Sequence, residues 1–94
     1  MKHEKNQQEI GLCEIRPGEL AAVSRIMGEG PIRRRLCDVG LIEGTVVHCI
    51  GKSPAGDPAA YLIRGAVIAI RKKDARNVRV VRTPPPKEVL HEIK

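Results

Sequence analysis

The side chains with most chemistry to offer are Cys13, Cys37, Cys49, His48, Asp38, Asp57 and the run Arg33-Arg34-Arg35. Nucleophilic catalysis needs a nucleophile, a base and a group that orients the base, and acid–base catalysis needs titratable groups that converge. His48 and Cys49 are sequence neighbours on what reads as a strand, so their side chains point to opposite faces and can neither share a proton nor chelate a metal. His3 and His91 fall in terminal segments, and all three histidines read as surface residues. The cysteines are odd in number and irregularly spaced, unlike a zinc CxxC pair or a disulfide framework, and are expected to be free thiols that pack as small hydrophobes. No carboxylate or histidine spacing matches an iron, zinc or calcium site, so no metal ligands, no cofactor and no catalytic residues are expected. Asp38, near Gly40, and Asp57, in a Pro-Gly-rich loop, suit capping and turn roles. Gly28-Glu29-Gly30-Pro31 outwardly suits a phosphate loop, but Glu29 repels an anion and Pro31 removes an amide donor.

What remains is binding. Three consecutive arginines cannot all be buried on a short helix, and Arg33, Arg34 and Arg35 therefore present a cationic face suited to an acidic partner. Asp38 lies one turn after Arg34 and is placed to pair with it. With Leu41 and Ile42 in the following turn, these residues form the candidate partner-binding surface. A merely solvated helix face accounts for the same arginines equally well.

The elements that must hold this surface are short. Residues 1–9 are polar and without period, and are expected to form a flexible arm. From Leu12 to Ile26 apolar residues return around Arg16-Pro17-Gly18-Glu19, which predicts strand, turn, strand. A helix is predicted over 31–39: Pro31 suits its first position, Ile32, Leu36 and Val39 share a stripe, and Gly40 caps its end. Gly40 and Gly44 then bracket the reversal into Thr45–Ile50, a strand with Val47 and Cys49 on one face and Val46, His48 and Ile50 on the other. Tyr61–Arg64 and Val67–Arg71 are predicted to form a hairpin about Gly65-Ala66. A helical turn over 73–77 and a closing strand Val78–Arg82 follow, with Val78 and Val80 inward. Pro84-Pro85-Pro86 cannot donate ladder hydrogen bonds, so a domain over 10–82 gives way to a Pro-rich tail over 83–94. Within that tail, Val89 and Ile93 are spaced for one amphipathic turn.

The fold class expected is mainly β: a small barrel of five to six strands with one inserted helix, its closure removing most exposed edges. A chain of 94 residues has room for one domain, and it buries only roughly 60–65% of the surface its unfolded form exposes. Phe and Trp are absent, Tyr61 is the single aromatic, and Val, Ile, Leu and Ala must build the core. The net charge of +6 favours an acidic protein, an anionic membrane surface or nucleic acid as partner. No apolar run reaches the length of a membrane span and the N-terminus has no signal-peptide core, so a cytoplasmic protein is expected.

Taken in order, Arg16-Pro17-Gly18-Glu19, the stretch Arg34–Thr45, Gly56-Asp57-Pro58, Arg64-Gly65 and Ala69–Ala75 resemble the FeoA family, the small cytosolic component of bacterial ferrous iron uptake. The resemblance runs from about Leu12 to Val81 and covers the turns at Pro17, Gly18, Gly40, Gly44 and Gly65. Val39, Glu43 and Cys37 stand where the family more often has Met, Pro and an aliphatic residue. The resemblance implies an SH3-like barrel with no enzymatic activity. It also implies an accessory role toward FeoB, the Fe(II) transporter, through contact with its cytosolic GTPase region.

Other readings make different demands on the residues. An iron-responsive regulatory module would use the same fold. A proline-peptide-binding SH3 domain needs an aromatic groove that this chain lacks. A nucleic-acid-binding barrel fits the charge but offers Tyr61 alone for stacking. Titration with single-stranded DNA and RNA is expected to show no binding that survives about 0.15 M salt; retained binding there would restore the nucleic-acid reading.

Overall fold

Alternating apolar residues in short runs, punctuated by glycine, produce six strands and two short helices in a computed structural model that describes residues 8–83. The strands are β1 (Glu9–Gly11), β2 (Leu20–Ile26), β3 (Val46–Lys52), β4 (Ala59–Ile63), β5 (Ala66–Ile70) and β6 (Val78–Thr83), and the helices are α1 (Pro31–Asp38) and α2 (Lys72–Ala75). All pairings are antiparallel, in the order β1-β6-β2-β3-β4-β5. Among the described residues no pairing joins β5 back to β1, so two strand edges stay open.

Register aligns the buried residues in rows. Ala21 faces Val47, which faces Ile63; Cys49 faces Tyr61; Val23 faces Val80 and Ile26 faces Val78. The expected alternation in β3 holds, with Val47 and Cys49 buried and Val46 and Ile50 exposed. Tyr61, only 1% exposed, is the largest side chain in this core and is surrounded by aliphatic residues. Its burial raises the phenol pKa and keeps it neutral at ordinary pH.

Three local expectations are corrected. Leu12–Glu14 is a 3-10 turn, not a strand: the Glu14 carboxylate accepts the Gly11 N–H at 3.0 Å and Ile15 N–H bonds back to the Leu12 carbonyl. These local bonds compete with extended structure and at the same time sink Leu12 and Ile15 into the core. The strand before the first turn is instead β1, which begins at Glu9 and pairs with β6 at the far end of the chain. The second correction is one of register: the hairpin turns at Arg64-Gly65, while Ala66 already pairs with Ile63. Both turn residues have positive φ, 50° and 85°, as a two-residue type I′ turn requires. Third, Thr83 belongs to β6, opposite Leu20. Of the arm expected over residues 1–9, Glu9 instead opens β1 and residues 1–7 lie outside the described residues, as do His3, His91, Pro84–Pro86 and the amphipathic turn at Val89 and Ile93.

The end of α1 is built as its sequence predicts. Gly40, at φ 108°, gives its N–H to the Cys37 carbonyl, and Leu41 N–H reaches back to the Leu36 carbonyl. Both belong to a Schellman cap, and its usual apolar contact is supplied by Leu36 and Leu41, each buried in the core. A Cβ on Gly40 would lie 2.5 Å from the Arg64 Cδ and 3.3 Å from a methyl of Ile63. Gly40→Ala therefore combines a left-handed backbone with crowding and is expected to cost about 1–3 kcal/mol in urea unfolding. Gly51→Ala, with neither problem, should change stability by less than about 1 kcal/mol.

Candidate functional site

The candidate surface is α1 with the turn that follows it. Of its eight residues only Leu36 is buried, because an eight-residue helix on the rim of a small sheet offers the core just one deep position. Arg33, Arg34, Arg35 and Asp38 are all exposed, and Ile42 is 49% exposed. Leu41 is placed differently from expectation: it is fully buried, drawn inward by the Schellman geometry, and so leaves Ile42 as the apolar residue of this turn that faces solvent.

The expected pairing of Arg34 with Asp38 is not formed. Among the described residues the ion pairs are Arg25 and Arg79 with Glu9, and Arg82 with Glu19; none involves α1. Of the three helix arginines, only Arg33 makes a side-chain hydrogen bond, a long one of 3.5 Å from Nε to the Ile26 carbonyl. The guanidinium groups of Arg34 and Arg35 are thus cations without an ion-pair partner among the described residues, and Asp38 is the one carboxylate on α1 itself.

Beside α1 lies a groove that sequence reading missed. Ile32, Leu36 and Val39 line one side and Ile68 and Ile70 of β5 the other, with Arg35, Arg71 and Asp74 at the margins. The stripe Ile32–Leu36–Val39 was legible as an apolar face; that β5 would be an edge strand leaving the stripe half covered was not. Just past the end of β5, Asp57 accepts the Lys72 N–H at 2.8 Å and so caps α2 from a distant loop. This is the capping role expected of it.

The remaining sequence candidates are dispersed. Cys49 is buried, its thiol pKa raised by that burial, while Cys13 and Cys37 are half-buried and all three are free. No three His, Cys, Asp or Glu side chains converge among the described residues. Tyr61, the only aromatic residue of the chain, is inside the core and cannot stack on a base. No described helix is long and apolar enough to cross a membrane.

A turn remote from α1 shows how the sheet end is secured. In Arg16-Pro17-Gly18-Glu19, Gly18 takes φ 94° and donates to the Cys49 carbonyl, and Glu19 accepts the Arg16 N–H at 2.7 Å and Arg82 Nε at 3.3 Å. Arg82 also donates to the Glu14 carbonyl, so one carboxylate and one guanidinium tie the turn to the end of β6.

Comparison with known proteins agrees with this geometry. The family model for the FeoA domain matches residues 10–82. A Porphyromonas gingivalis protein, an Fe(2+) transport protein A/Fe(2+) transporter FeoB fusion, is 29% identical over 69 residues. That match takes in 73% of this chain but only 8% of the relative's length. The FeoA-like protein of Clostridium acetobutylicum superposes with a TM-score of 0.77 at 33% identity, covering 84% of this chain and 92% of the other. The zinc complex of Stenotrophomonas maltophilia FeoA, described as a prokaryotic SH3 domain protein, gives 0.68 at 27% identity over 76% and 88% of the two chains. The six antiparallel strands with short helices are the SH3-like fold of these neighbours.

The carboxylate of Glu19 is held below the usual carboxylate range, first by the Arg16 N–H and, against a smaller opposing effect of burial, by Arg82. A depressed folded-state value contributes stability that is present above the unfolded-state pKa of about 4.3 and is lost as pH falls through the folded value. Chemical denaturation across the acid range is expected to show Glu19→Gln less stable than the parent at neutral pH, with the gap closing at acid pH. A gap independent of pH would assign the difference to packing alone.

Proposed function

The chain belongs to the FeoA domain family, and on that premise we propose that it is an accessory of ferrous iron transport that binds the cytosolic GTPase region of a FeoB-type transporter and modulates it. The family is non-catalytic, in keeping with the dispersal of titratable side chains over the described residues. The observation that carries the partner is the Porphyromonas gingivalis relative, in which an FeoA-like segment and a FeoB transporter share one polypeptide. Covalent linkage keeps two modules at high effective concentration, and such a linkage is useful where the two modules meet through a contact surface.

On this reading the contact surface is the outer side of α1 and its turn: Arg33, Arg34, Arg35, Asp38 and Ile42. Unpaired guanidinium groups are suited to carboxylates on a partner, and the exposed Ile42 gives the patch an apolar point. The turns at Pro17, Gly18, Gly40, Gly44 and Gly65 serve as scaffold, and the protein works at the cytoplasmic side of the membrane through its partner. Nucleic acid is not a partner on this reading.

Isothermal titration against the cytosolic domain of the cognate transporter tests this. Arg34→Glu and Arg35→Glu are each expected to weaken binding by about tenfold or more, since both side chains are exposed and their loss does not disturb the core. Affinity unchanged in both variants would overturn the α1 assignment.

A further inference from the structure

The apolar stripe of α1 is longer than the sheet can cover. Ile32, Leu36 and Val39 follow each other at spacings of four and three, so they share one side of the helix. Leu36 is 7% exposed, yet Ile32, one turn earlier, is 40% exposed. The difference arises because β5 is the last strand of the sheet and, among the described residues, no further strand lies beyond it to seal the gap. Ile68 and the 5%-exposed Ile70 complete a hollow whose floor is apolar and whose lip is open.

From this groove we propose a docking site for an acidic peptide segment of a protein partner that inserts one bulky apolar side chain between α1 and β5. The hollow has a volume of about 160 Å³. An apolar cavity of about 150 Å³ accommodates a benzene-sized group, so there is room for one Leu, Ile or Phe side chain and little more. An anchor of that size, surrounded by weaker polar contacts, is the usual way a short segment gains affinity.

Charge at the margin selects the sequence around the anchor. Arg35 and Arg71 stand on the two walls, and neither makes an ion pair or a side-chain hydrogen bond among the described residues. Asp74 opposes them, but Arg33 and Arg34 on the helix and Lys72 and Lys73 beside Arg71 leave the surroundings strongly cationic. Glu or Asp residues flanking the anchor gain counter-charges, and Lys or Arg residues there are repelled. An anionic lipid surface shares the charge preference but not the fit, because a hollow sized for one side chain gives a membrane no broad apolar face to enter.

The inference deepens the proposed function and rests on its premise that the domain acts by binding a protein. Its test uses the full chain, isotopically labelled, titrated by NMR with three synthetic peptides: a central Leu flanked by Glu, the same with Ala for Leu, and the same with Lys for Glu. The first is expected to shift the amides of Ile32, Leu36, Ile68 and Ile70 saturably, the Ala peptide to bind about tenfold or more weakly, and the Lys peptide not to saturate. Ile32→Asp, at the exposed lip where folding tolerates it, should weaken the Leu peptide by a similar factor, and Arg71→Glu should do so through charge alone. Shifts elsewhere, equal binding of the Ala peptide, unchanged binding by both variants, or saturation only with phosphatidylglycerol vesicles would each overturn the groove. Titrating the transporter's cytosolic domain into Ile32→Asp separates the two readings. Undiminished binding overturns the groove and leaves the proposed function standing. Peptide binding in the groove without any binding of that domain overturns the proposed function alone.

Discussion

The chain reversal at Gly40 is the constraint on which the rest of the surface depends. α1 is too short to hold its orientation by propensity, and a helix of this length alone in water would not persist. What orients it is one buried side chain, Leu36, and a cap that turns the next apolar residue, Leu41, into the same core. Because Gly40 has no side chain, the cap sits directly against Ile63 and Arg64 at the tip of the β4–β5 hairpin. Helix and hairpin are thereby registered to each other. That registration places Arg34 outward, Arg35 beside the groove, and Ile32 over a gap.

Much of this was legible in the chain. Val47 and Cys49 could be assigned inward because a half-buried strand alternates, and Pro31 and Gly40 marked the helix ends because each has a conformational reason to be there. Leu41 was misplaced on the surface although the cap carried the information: the residue after a Schellman glycine packs back on the helix, and a leucine there belongs to the core. Of the departures elsewhere, the position of β1 is fixed by β6 at the far end of the chain, a partner of which local periodicity contains no trace, whereas the 3-10 turn at Leu12–Glu14 is made by bonds within its own residues and their neighbours. Arg64 in a left-handed conformation was unexpected because only its following glycine signals the turn.

Family membership explains the character of the site as much as its position. A core with one aromatic residue and a sheet of short strands leaves little interior in which titratable groups could be desolvated and brought together. The groups that are perturbed, Tyr61, Cys49 and Glu19, serve packing or a turn. Chemistry is therefore confined to what a surface can do: display charge, offer a shallow apolar hollow, and hold both at a fixed angle.

The open edge of β5 has a consequence for how these molecules behave in a crowd. Its sequence, Ala-Val-Ile-Ala-Ile, is the kind of short β-forming run that seeds edge-to-edge aggregation, and Val67 is 64% exposed. Arg64 precedes it and Arg71, Lys72 and Lys73 follow, so like charges stand at both ends of the run. Two such edges brought together would align cation against cation before any backbone bond formed. The positive charge around the groove therefore also opposes, by simple repulsion, the edge-to-edge pairing of one copy of the domain with another.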